Sequence, residues 1–157
     1  MTAAFRIIPL DYSPFAPLFD LDATALAQRG AVRVTADEDF GFPCRVSLDD
    51  AKAGDELLLL PFTHHAADSP YRASGPIFVR RGARLSTLAA GEVPPSVTRR
   101  LMSLRAYDAA GMMQSASVVD GQEVADTLTA LFSDPRIDYV HLHHAKPGCY
   151  SCRAVRA

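Results

Sequence analysis

Lysine is nearly missing from this chain. Only Lys52 and Lys146 are lysines among its 16 basic residues; the other fourteen are arginines, set against 18 acids for a net charge of −2. A protein that grips nucleic acid by neutralising phosphates carries a basic excess, so that class is set aside. No stretch is apolar and long enough to cross a bilayer as a helix, which sets aside a membrane partner. The opening Met1-Thr2-Ala3-Ala4-Phe5-Arg6-Ile7-Ile8-Pro9 lacks a charged start, a long apolar core and a small-residue cleavage site. It is therefore expected not to be a signal peptide, and the chain is expected in the cytoplasm, where thiols stay reduced. Cysteine is scarce as well, and an odd set of Cys44, Cys149 and Cys152 cannot all pair within one chain, so they read as free thiols. A Gly-x-Ser-x-Gly elbow, a phosphate loop and a dinucleotide fingerprint are all missing. So are repeats, low-complexity tracts and linkers, which leaves a single domain over residues 1–157 as the expectation.

What is present alternates between short strand patterns and turn residues. Residues 5–10 read as an edge strand because of Pro9, and Asp22 caps a short helix over about 23–29 that Gly30 ends. Residues 31–35 and 45–48 alternate as strands, with Cys44 at the junction leading into the second. The unbroken leucines of Glu56-Leu57-Leu58-Leu59-Leu60 are too few for a helix and suit a strand buried on both faces, closed by Pro61. Residues 62–71 then read as a loop and 77–80 as a strand. The patterns 101–107 and 112–119 about Asp108-Ala109-Ala110-Gly111 make a hairpin. Asp120 with Glu123 forms a capping box for the one long helix, about 122–132, whose Val124, Leu128, Leu131 and Phe132 share a face. The connections are too short for repeated parallel crossovers. The expected fold is α+β, a mainly antiparallel curved sheet or partly closed barrel with one long and one short helix.

Chemistry concentrates near the C-terminus, where three of the five histidines and two of the three cysteines fall. Residues 139–143 read as a strand with Val140 and Leu142 on one face and Tyr139, His141 and His143 on the other. Lys146-Pro147-Gly148 turns the chain, so Cys149 returns beside the histidine strand. Several phrases then bear a likeness to a known group: Phe42-Pro43-Cys44-Arg45, Ser69-Pro70-Tyr71, Gly75-Pro76-Ile77-Phe78-Val79-Arg80, Arg105-Ala106-Tyr107-Asp108, and His141-Leu142-His143 with Ala145 and Gly148-Cys149-Tyr150. In that order, over nearly the whole chain, they resemble the small bacterial proteins grouped as domain of unknown function 1203. The resemblance implies a bacterial, cytoplasmic, single-domain protein and no activity. In the family pattern an Asn more often stands where this chain has His144, and Cys152 is not part of it.

Three chemistries compete for these residues. His141 and His143, two apart on one strand face, suit a shared zinc ion, with Cys149, Cys44 or a member of the His64-His65 pair completing the ligand set. Alternatively, Cys149 acts as a nucleophile with His141 or His143 as its base, turn amides lying nearby. A third reading places a carboxylate or phosphate of a small molecule at Tyr71, Arg72, Ser74 and Arg80 through the arginine fork. Against these stands the plainer account of strand histidines bonded on a half-exposed face and cysteines buried as small hydrophobes. The pair Cys149-x-x-Cys152 lacks the following helix of a thioredoxin-like site and the second pair of a zinc ribbon. A thiol reagent titrated into the denatured chain should find three reactive groups; finding one would reveal a bridge and overturn the reducing-compartment reading.

Overall fold

The computed structural model describes residues 4–157; Met1, Thr2 and Ala3 of the opening segment lie outside the described residues. Its eight strands form two antiparallel sheets, so the fold is α+β, and neither sheet closes into a barrel. The larger sheet takes β1 (Phe5–Ile8), β5 (Leu101–Tyr107), β6 (Met113–Asp120), β7 (Tyr139–His144) and β8 (Tyr150–Arg156), in the order β1-β8-β7-β5-β6. The smaller takes β2 (Val32–Thr35), β3 (Glu56–His65) and β4 (Ala73–Arg80), with β3 in the middle. The expected hairpin is β5 and β6, whose turn is tied by the Asp108 carboxylate accepting from the amides of Ala110 and Met112 at 2.9 and 3.0 Å.

Two main cores follow from the alternation. On one face of the larger sheet, Met102, Leu104, Val140, Leu142 and Cys152 pack against Val124, Leu128 and Phe132 of the helical segment that follows β6. The smaller sheet turns Leu58, Leu60, Ile77 and Val79 toward Phe15, Phe19 and Leu26, while Leu57 faces the opposite way toward Ala36 and Ala51. Adjacent leucines buried on opposite faces are what the unbroken run signalled. The short helix α1 (Ala23–Gln28) begins as expected, the Asp22 carboxylate accepting from the Ala25 amide at 2.8 Å. A brief helical turn, α2 (Pro95–Thr98), precedes β5.

Three local expectations are corrected. The long helix is shorter than read: α3 spans Val124–Leu131, and Gly121–Glu123 form a 3-10 turn whose first free amide, Gln122, is capped by Asp120 at 2.9 Å. Gly121 lies against the backbone of residues 97–100, and the tight turn is what brings it there. Residues 45–47 are a turn, not a strand, because Val46 and Leu48 enter different cores and Leu48 adopts a left-handed φ of 56°. Pro61 does not end β3, which runs on to His65 with Pro61 opposite Pro76. Neither proline breaks a ladder, since β2 stops pairing at Leu59 and β4 is an edge strand.

An alanine Cβ at position 121 would strike the Val97 carbonyl oxygen and come within 2.7 Å of that of Arg100. Backbone cannot yield as a side chain can, so Gly121→Ala should destabilise the protein by about 2 kcal/mol or more, the upper range for overpacking. Urea unfolding at neutral pH measures it, and an unchanged midpoint would contradict the packing.

Candidate functional site

The continuation of β3 makes the site. A register shift between Phe62 and His65 inserts a bulge, and a bulge re-aims side chains, so the consecutive His64 and His65 both meet the ring-bearing face of β7. That face is not half exposed: all six residues of β7 are buried. A second bulge, between Leu142 and His143 on the β7–β8 ladder, sets Tyr150 opposite His143. The result is an aromatic cluster in which Tyr150 stacks on His64 at 5.4 Å and meets His141 edge-on at 5.1 Å.

Within the cluster the hydrogen bonds assign distinct roles. His65 sits 2.8 Å from the Tyr71 carbonyl through Nδ1 and 2.5 Å from the Tyr139 hydroxyl through Nε2. A carbonyl only accepts, so Nδ1 carries the proton and Nε2 accepts from Tyr139, whose phenol burial holds above its ordinary value. Both nitrogens of His65 are thereby used. His143 donates from Nδ1 to the Gly148 carbonyl at 3.0 Å, which leaves Nε2 as a lone pair, buried and without a partner. His64 and His141 each likewise hold a buried, unpartnered Nδ1. One nitrogen from each of His64, His141 and His143 lies within 4.8 Å of the other two.

These rings stay neutral near pH 7. Burial above all, then the charges of His65 and His143, pushes His141 down to about 3. Burial also takes His143 down to about 4, opposed by the bond to Gly148 and aided by Arg105. His64 is lowered by burial, then by Arg105 and His65. No carboxylate contributes to any of these shifts, so the cluster has lone pairs to offer but no anion to balance a bound cation.

Of the six residues read as metal ligands, the fold therefore gathers His64, His141 and His143, with His65 alongside but engaged. Cys44 lies elsewhere, 1% exposed in the smaller sheet's core, its sulfur accepting from the Arg80 amide at 3.3 Å. Cys149 receives its hydrogen bond from Arg45 Nη2 at 3.0 Å rather than from either histidine. The four residues read as an anion site do not converge. Arg72 donates to the Ala66 carbonyl at 2.7 Å, Ser74 pairs with Thr63 at 2.8 Å, and Arg80 binds Asp55 at 3.0 Å. Ser74 and Arg80 are six residues apart on one strand, about 20 Å, beyond the reach of a single small anion. Cys152 is fully buried on the core face, and burial pushes its thiol up to about 12. Among the described residues no disulfide forms.

Arg45, Arg105 and Tyr150 fall in the phrases that carry the family likeness but were given no role as site residues. The sequence carried one signal for Arg45, an arginine held between the apolar residues Cys44 and Val46.

The span 41–156 of the 157 residues matches the family described as Protein of unknown function (DUF1203). The chain belongs to that family. No curated protein and no solved structure matches it. Everything from β3 onward lies in the DUF1203 span, so the histidine cluster falls wholly within it. No helix among the described residues is long and apolar enough to cross a membrane.

The lowered histidines fix a pH dependence. Each is depressed on folding from an ordinary value of 6.5, so its contribution is whole above that value and is lost as pH falls toward 4 and 3, where the unfolded chain takes up protons first. Asp55 and Asp134 are also depressed but act only below their ordinary 3.8. Stability should thus fall between about pH 6.5 and 4.5, and His141→Gln should flatten that fall. Urea midpoints across the range test it; a flat wild-type profile would contradict a buried neutral cluster.

Proposed function

We propose that this DUF1203 protein holds one zinc-class divalent ion on His64, His141 and His143, with an open coordination position for water or a small anionic molecule. The observation that carries this reading is three buried imidazole nitrogens without partners in a cluster whose ligand atoms lie within 4.8 Å. An orphaned buried nitrogen costs roughly 1–3 kcal/mol, and three in one place are satisfied together by a single cation. In a tetrahedral zinc site neighbouring nitrogens stand about 3.3 Å apart, so modest ring rotations close the set. The His143 Nδ1 bond to Gly148 is the outer support that fixes the tautomer of a ligating histidine.

Three protein ligands with one place free is the count of catalytic zinc sites, whereas structural sites close with four. Among the described residues no fourth His, Cys, Asp or Glu joins the three within that distance. A bound ion of this class acidifies a coordinated water or polarises an oxygen. Arg105, close enough to lower both His64 and His143, would pair an anion at the open position. The buried phenol of Tyr150, raised by burial, remains a donor within the cluster, whereas that of Tyr139 is already given to His65. The three free cysteines support action in a reducing cytoplasm.

Chelator-stripped protein titrated with cobalt should show visible bands of a low-coordinate site at one equivalent, which zinc displaces. His143→Ala and His64→Ala, checked for native circular dichroism, should each weaken binding by at least about 100-fold, the upper cost of losing even an outer-shell partner. Folded variants that bind cobalt as wild type does would remove the proposal.

A further inference from the structure

Near the C-terminal end of β7 a cleft of about 550 Å³ opens between residues of the two sheets. Its apolar walls include Leu59 and Phe78 of the smaller sheet, Leu101 of β5 and Phe40 at the mouth. Arg45, His144 and Cys149 also line it. Volume and lining match those of small-molecule sites, which are mostly apolar with a few placed polar groups.

The polar groups are of one kind. Arg45, Arg99, Arg100 and Lys146 line the cleft, and no carboxylate is among the described residues that do. The Asp50 side chain, 1% exposed, binds Arg99 at 3.2 Å and Arg100 at 2.5 Å, which offsets one of the four cations and leaves three in excess. Arg45 is itself 1% exposed and no carboxylate bonds it. Of its five N–H groups, three are spent on the Tyr150 carbonyl at 2.7 Å, the Pro43 carbonyl at 2.5 Å and the Cys149 sulfur at 3.0 Å, so two are free. His144 is 2% exposed and both of its ring nitrogens lack a partner. A buried guanidinium with unused donors, beside an imidazole whose N–H has no acceptor, is an arrangement whose free donors an anion takes up.

We infer that this cleft binds a small organic monocarboxylate with an apolar body, its carboxylate at Arg45 and His144 and its body along Phe40, Leu59 and Phe78. Inorganic anions would satisfy the cations but leave the apolar walls uncovered, whereas a neutral apolar molecule would leave Arg45 and His144 unsatisfied. The half-buried Cys149 stands at the charged end and reports on occupancy. This assignment is independent of the metal reading, because none of His64, His141 and His143 lines the cleft.

The reporter makes a direct test in the wild-type chain at a single pH near neutral. Iodoacetate carries the carboxylate that the cleft selects and iodoacetamide does not. Cys149, followed by peptide mass, should react about tenfold faster with iodoacetate than with iodoacetamide, and the preference should vanish in the urea-denatured chain, tenfold corresponding to about 1.4 kcal/mol. Millimolar octanoate should slow alkylation of the folded protein, and inorganic phosphate at the same concentration should not. His144→Asn, a close match in shape, should need about tenfold more octanoate for the same protection. A folded protein that prefers iodoacetamide, or that octanoate leaves unprotected, would overturn the inference. Equal protection by phosphate would overturn the apolar-bodied ligand.

Discussion

Burying both faces of one central strand is the constraint on which the rest depends. On one side of β7, Val140 and Leu142 join the hydrophobic core under α3, a demand that any amphipathic strand satisfies. The other side carries Tyr139, His141 and His143, and these are covered by the extended end of β3 rather than by water. Removing imidazoles from water keeps them neutral, and a neutral imidazole must hydrogen-bond or ligate. His65 meets that demand within the protein through Tyr71 and Tyr139. His64, His141 and His143 each keep a buried nitrogen without a partner, and that inequality separates a satisfied histidine from three available ones.

Strand β3 is the means by which this comes about. Its first half is the centre of the smaller sheet, between β2 and β4, and its second half, paired with β4 alone, lies across the larger sheet. Two prolines face each other where the roles change, at a point where no ladder needs their missing donors. The same crossing leaves a gap between the sheets, which becomes the apolar and cationic cleft beside Arg45.

Much of this was legible in the chain, and the limits of legibility are physical. Period-two alternation placed β7 and its ring-bearing face, the leucine run identified a doubly buried strand, and Asp22 and the 101–119 patterns located a helix start and a hairpin. Local rules failed where tertiary packing decided. Pro61 is a stop signal in isolation but harmless at an unpaired position, and Val46 and Leu48 alternate only because two separate cores claim them. The candidate site showed the same division: His141 and His143 share a face by strand geometry, but the choice of His64 over Cys149 as their companion depended on a bulge that no spacing announces. Arg45 was least visible, since base rates place arginine at the surface and only the fold reveals it as buried.

The position of β7 also bears on how long its side chains stay put. It is hydrogen-bonded along its length to β5 on one side and β8 on the other, and covered above and below. Partial openings begin at edges, ends and loops with few buried contacts, and His141 and His143 lie on a central strand that is buried throughout. The backbone that presents His141 and His143 is therefore freed only when the whole structure is lost, so their spacing persists on the time scale of global unfolding, not on that of loop motion.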